Sequence, residues 1–252
     1  MATLRHHSLN SIIYGFKKYG PFTSKELKQL LITTIIIGFV IGFNDKRTTT
    51  SIDSYFLFFM IFSILAATFA LLVKMAVQRY FLYKFGYAPN YHYSINSLLI
   101  GIVLIFATQG KLWFLAPGYT DATLLQAERL GRWRMGYRLV DHARSLFAGI
   151  IFLTFAAIFL KLFANENTIL LNHTITIFLA VAFYSTLPLP ECDGLYILYG
   201  GYRYLWVLTM VFVISSWILI KLVSSFWIIL IAAVLVSIIS TIIYAVKIEG
   251  WY

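Results

Sequence analysis

The chain has 252 residues, 60% of them hydrophobic and 12% charged, with 20 Lys and Arg against 10 Asp and Glu. A soluble domain carries roughly twice that charged fraction, and the apolar residues fall in runs of about 18 to 22, the length a helix needs to cross the hydrocarbon core. A soluble enzyme, a disordered chain and a disulfide scaffold are excluded, the last because Cys192 has no second cysteine to pair with.

The formal net charge of +10 would suit nucleic acid in a soluble protein. Here the basic residues flank apolar runs, so they mark the cytoplasmic surface of a lipid bilayer, and no nucleic-acid partner is expected. Residues 1–29 form an arm in which Ile12, Ile13 and Phe16 lie beside Lys17 and Lys18, an amphipathic interfacial segment rather than a signal peptide.

Six spans are predicted within residues 30–246. The first rises from Phe22 to Leu27, where Thr23 and Glu26 have capping-box spacing, and runs to about Phe43. The second runs from near Asp53 to Val77, ending where Gln78 and Arg79 bring charge back. The third covers Ser145 to Phe163, the fourth Thr168 to Pro188, the fifth Tyr204 to Leu222 and the sixth Phe226 to Val246, leaving residues 247–252 as a tail. Between the second and third spans, Leu98 to Phe106 is apolar but too short to cross, so Asn96 to Phe114 is expected as strands or a re-entrant piece. A turn at Leu115 to Gly118 precedes a basic segment with Arg129, Arg132, Arg134, Arg138 and Arg144. That segment reads as a candidate membrane-surface element on anionic headgroups, each cation worth about 1 kcal/mol there, with docking of a partner as the alternative.

The expected fold is therefore an all-α integral membrane protein: six transmembrane helices, with a short strand or re-entrant element between the second and third. An even number of spans puts both ends on one side. Lys and Arg favour that side 15 to 4, which predicts a multi-pass protein with both termini cytoplasmic.

Lys74 lies inside the second span, and an intramembrane charge is a functional hypothesis whose partner should be named. Asp193 is the acidic residue at comparable depth on another span. It sits in Ser185-Thr186-Leu187-Pro188-Leu189-Pro190-Glu191-Cys192-Asp193-Gly194, where two prolines break the fourth span and Gly194 lets the chain turn. Either Lys74 approaches Asp193, with Gln78 one turn on adding a hydrogen bond, or it snorkels past Arg79 to the surface and leaves Asp193 in water.

Pro188, Pro190, Asp193 and Gly194 resemble the fourth-span motif of the site-two protease family of intramembrane zinc metalloproteases, in its archaeal six-span branch. Ser185 stands where that family has Asn. The resemblance runs from about Phe22 to Tyr204 and implies that Asp193 occupies the position of a zinc ligand. The family's second span bears His-Glu-x-x-His, two histidines one turn apart binding zinc and a glutamate activating the metal-bound water. In the matching place this chain has Lys74-Met75-Ala76-Val77-Gln78. A protonated lysine does not coordinate Zn²⁺ and methionine is no general base, so the resemblance implies a degenerate member with Lys74, Met75, Gln78 and Asp193 as vestigial metal-site positions.

No other histidines rebuild the site. His6 and His7 lie on the polar arm, and His92 and His142 read as interfacial. His173 is on the far side, in an Asn172-His173-Thr174 glycosylation match. Cys192 reads as a small buried residue. The tryptophans of the last two spans read as interface anchors or packing. No cofactor or metal is expected. What the resemblance implies is a pseudoenzyme that binds other membrane proteins or serves as a subunit or regulator of a membrane complex. The alternatives are an active protease with an atypical metal site and, third, a transporter, although only one interrupted helix is visible.

Overall fold

The computed structural model describes residues 13, 22–43, 54–124, 138–164, 168–200, 203–223 and 225–247. In chain order these form α1 (Ser24–Gly42), α2 (Ser54–Phe85), β1 (Tyr87–His92), α3 (Ile95–Ala107), β2 (Tyr119–Leu124), α4 (Leu139–Leu160), α5 (Ile169–Thr186), α6 (Asp193–Gly200), α7 (Arg203–Leu222) and α8 (Phe226–Lys247). Arg129, Arg132 and Arg134 lie outside the described residues, as do most of the amphipathic arm and the tail.

The fold is all-α with one small antiparallel sheet. Five helices, α2, α4, α5, α7 and α8, are long and apolar enough to cross a membrane. α1 has 19 residues, but Lys25, Glu26 and Lys28 occupy its first turns and shorten its apolar stretch. Large side chains such as Trp227, Ile231, Leu235, Ile239 and Ile242 face outward from α8. A patch of this extent is untenable on a monomer in water and ordinary against hydrocarbon. α8 packs almost wholly on α7, whereas α2, α4 and α5 form the centre with α1 laid against α2.

Two helix limits differ markedly from the sequence reading, the first for an electrostatic reason. α2 does not stop at Val77 but continues to Phe85. Arg79, which reads as the return of water, is instead only 3% exposed and ion-paired to Glu26 at 2.5 Å, with its guanidinium 4.3 Å from the centre of the Phe22 ring. Glu26 also closes the capping box of α1, taking the Thr23 N–H at 2.8 Å, and accepts the Tyr91 N–H at 2.9 Å. One carboxylate thus pins α1, α2 and β1 together. The third long helix likewise begins at Leu139 rather than Ser145, with Arg138 as its N-cap residue and Arg144 on its exposed side.

Of the two expectations for Asn96 to Phe114, strands or a re-entrant piece, the first fails. It holds no strand: Ile95 to Ala107 is a 13-residue helix, started by Ser94, whose hydroxyl accepts the Ser97 N–H at 3.2 Å. α3 descends beside α1 until Phe106 meets Phe43 at 5.4 Å, near the end of α1 remote from Glu26. The chain then reverses at Gln109 (φ 51°) and Gly110 (φ 82°). It returns so close to α3 that a Cβ on Gly101 would lie 2.4 Å from the Phe114 carbonyl oxygen. The element is a hairpin, a helix followed by an irregular return. Backbone of this kind at depth needs partners: Tyr184 donates its hydroxyl to the Trp113 carbonyl, and Tyr91 donates to Pro117 at 2.8 Å. The strands flank the hairpin, with Tyr87 opposite Leu124 and His92 opposite Tyr119.

Candidate functional site

The site begins with a broken helix. The residue before a proline avoids helical backbone, and Leu187, preceding Pro188, has φ −64° and ψ 136°, which ends α5 at Thr186. Of the carbonyls freed there, that of Thr186 accepts the Trp206 indole N–H at 2.8 Å. Pro188 and Pro190 are exposed; they shape the chain. Glu191 then takes a left-handed conformation (φ 64°), and α6 starts at Asp193, delivering its carboxylate inward.

Lys74 is fully buried and does not snorkel: its Nζ donates to Asp193 Oδ2 at 2.9 Å and to Ser185 Oγ at 3.3 Å. Gln78, one turn along α2, donates to the same Oδ2 at 2.8 Å. Its side chain lies over Gly149 of α4, where a Cβ would come within 2.4 Å of Gln78 Cγ. Ser185 passes its own proton to the Val181 carbonyl at 2.7 Å, so its lone pairs face the ammonium. Met75 is buried but points elsewhere, packing with Leu30 and Tyr91.

The sheet contributes two groups that sequence reasoning missed. Thr120 of β2 donates its N–H to Asp193 Oδ1 at 3.2 Å and its hydroxyl to Gln78 Oε1 at 2.8 Å. Its carbonyl is bonded to His142 Nε2 at 2.6 Å. His142, read from sequence as interfacial, is fully buried in α4. The Asp193 carboxylate therefore holds Lys74, Gln78 and Thr120 from two different elements, and β2 is strapped over it through backbone on both sides of Thr120. His92 stacks on Tyr119 at 5.4 Å, outside this cluster. His173 is remote, its Nε2 2.7 Å from Ser63 Oγ, and Asn172 lies within α5 rather than in a loop.

No family model, curated protein or solved structure matches the chain. What the centre can do must be judged from its donors. A dication on Asp193 would face the Lys74 ammonium at hydrogen-bond range, and the neighbours are an amide, a hydroxyl and a peptide N–H. Among the described residues no three His, Cys, Asp or Glu side chains converge. This donor set does not fit Zn²⁺, which wants about four N, S or O ligands. The ammonium instead supplies the positive charge that a buried carboxylate requires.

Cys192 adjoins the pair. Burial, reinforced by the Asp193 carboxylate, pushes its thiol up to about 12. Only the thiolate attacks electrophiles, so maleimide at pH 8 should label the folded protein on the order of a hundredfold more slowly than the unfolded chain. Mass-spectrometric labelling rates in mild detergent and in denaturant check this, and similar rates in the two would mean that Cys192 is open.

Proposed function

We propose that this chain is a six-span membrane protein of site-two protease architecture, in which a lysine–aspartate pair stands where the metal would be. It then acts by holding other membrane proteins, as a regulator or as a subunit of a membrane complex, and does not cleave them. On this reading α1 is the first crossing despite its charged opening turns, and both termini are cytoplasmic. Moving the tip of the re-entrant hairpin, with Lys111, to the far side leaves the positive bias of the inner side intact.

One observation carries the reading: Lys74 and Asp193 are both fully buried with Nζ 2.9 Å from Oδ2. Hydrolysis by zinc needs an open coordination position with a water and a base beside it. Here the carboxylate is engaged by three donors, and methionine holds the position of the base. The strand β2 lies across the same carboxylate, where a peptide entering for cleavage would have to displace it.

The test is metal content. The detergent-purified protein is expected to carry far less than one zinc, whereas the triple variant Lys74→His, Met75→Glu, Gln78→His, with Asp193 retained, should take up about one equivalent. Stoichiometric zinc in the unaltered protein would overturn the proposal in favour of an active protease with an atypical site. Failure of the triple variant to bind zinc while still folded would remove the correspondence with the metalloprotease site.

A further inference from the structure

Away from the Lys74–Asp193 centre, a cavity of about 470 Å³ opens on the outside of the helix bundle. It is formed where the hairpin leans on α5 and α7, and its walls are Trp113, Phe183, Tyr184, Ile214, Trp217 and Ile218. Its size falls within the roughly 300–1,000 Å³ of ordinary ligand pockets, and its lining is mostly apolar. Two cations border it. Lys111, at the tip of the hairpin, lines it directly, and Lys221 places its Nζ 5.9 Å from the ring centre of Trp217. Both stand towards the same face of the molecule. Lys221 is in the last turn of α7, and the hairpin tip follows the end of α3 that meets Phe43, on the side remote from Glu26 and Arg79.

A third observation concerns the wall. The Trp113 indole N–H is buried and has no acceptor among the described residues. The nearby Tyr184 hydroxyl is already committed to the Trp113 carbonyl. With the groove empty the N–H is closed to water, so an occupant of the groove reaches it only if the indole turns, although buried donors are seldom left alone.

We infer that this groove binds one anionic phospholipid: an acyl chain against Trp113, Phe183, Trp217 and Ile218, with the phosphate near Lys111 and Lys221. An apolar trough with one cation in its lining and a second over its Trp217 wall has the polarity of such a lipid, and each cation near a membrane surface favours an acidic headgroup. A zwitterionic lipid would bring its own cation next to the two lysines. This inference rests on the helices that cross the membrane and not on the metal-free reading of the Lys74–Asp193 centre, so either can fail without the other.

The experiment uses the full chain in vesicles of phosphatidylcholine containing a minor fraction of brominated lipid, which quenches tryptophan fluorescence on contact. Brominated phosphatidylglycerol is expected to quench at least twofold more than brominated phosphatidylcholine at equal content. The excess should vanish in Trp113→Phe/Trp217→Phe, and the double variant Lys111→Gln/Lys221→Gln should bring the ratio of the two lipids to one. Lys161→Gln, which removes a cation following α4, should leave the ratio unchanged. Equal quenching by both lipids in the unaltered protein would overturn the inference, as would a ratio that survives loss of Lys111 and Lys221. Shielding of Trp113 and Trp217 from both lipids would mean that protein, from another chain or a second copy, fills the groove instead.

Discussion

Replacing Lys74 with methionine is expected to destabilise the protein by about 3 to 5 kcal/mol, the loss that follows when one partner of a buried ion pair is removed. The reason lies in what Asp193 keeps. Without Nζ at 2.9 Å it retains Gln78 Nε2 at 2.8 Å and the Thr120 N–H at 3.2 Å, two neutral donors facing a full negative charge. The carboxylate is then an orphaned buried charge, the costly case for a broken ion pair. Asp193→Asn alone leaves the mirror problem, an ammonium whose acceptors are the Ser185 hydroxyl and a neutral amide oxygen, with the amide NH2 turned against the Thr120 N–H. The double variant Lys74→Met/Asp193→Asn removes both charges and keeps an amide oxygen for the remaining donors, so it should cost less than Lys74→Met alone. A double-mutant cycle from thermal unfolding in detergent measures the difference. Equal losses for Lys74→Met and the double variant would show that the two charges are not coupled in the folded state.

Much of this centre could be read from the chain because its members carry unusual chemistry in apolar surroundings. Lys74 is a cation inside a span, Gln78 is one turn away on the same face, and Asp193 follows a proline-broken helix end; those features single the three out, but they leave snorkelling of Lys74 equally open. Thr120 and His142 were invisible for a different reason. Thr120 acts through its peptide N–H and carbonyl, and a backbone group leaves no signature in residue type. His142 sits beside Asp141 and follows a basic stretch, which reads as surface. Its spacing with Ser145, Leu146 and Gly149 is that of a buried helix face and would have drawn it inward had that helix been started at Leu139. The hairpin shows the general limit. The apolar run Leu98 to Phe106 is too short to cross and does not reveal whether it is strand or helix; the Ser94 cap decides for helix. Arg79 erred in the opposite direction, since a single arginine marks water only until a buried Glu26 accepts it.

Gly194→Ala should produce the second large effect, about 3 kcal/mol, at the upper end of what overpacking a well-filled interior costs. The glycine is needed for proximity rather than for an unusual backbone conformation. A Cβ there would lie 2.1 Å from the Thr186 carbonyl oxygen, 2.4 Å from the Thr186 carbonyl carbon and 2.5 Å from the Leu187 oxygen. All are backbone atoms at the end of α5, and no rotamer relieves the clash. Thr186 is also held from the other side, since its carbonyl takes the Trp206 indole, so the strain passes to α6 and carries Asp193 away from Lys74. If so, part of the cost is the loss of the ion pair, and Gly194→Ala should cost less when introduced into Lys74→Met/Asp193→Asn than into the unaltered protein. Gly38→Ala is the comparator: its Cβ would lie 2.4 Å from Ile64 Cα, an equally hard collision between α1 and α2. Ile64 stands ten positions before Lys74, about 15 Å along the helix, so Gly38→Ala should cost the same with or without the pair. Unfolding temperatures of the single and combined variants separate the two cases. Additivity for both glycines would mean that Gly194 serves helix packing alone and that the placement of Asp193 does not depend on it.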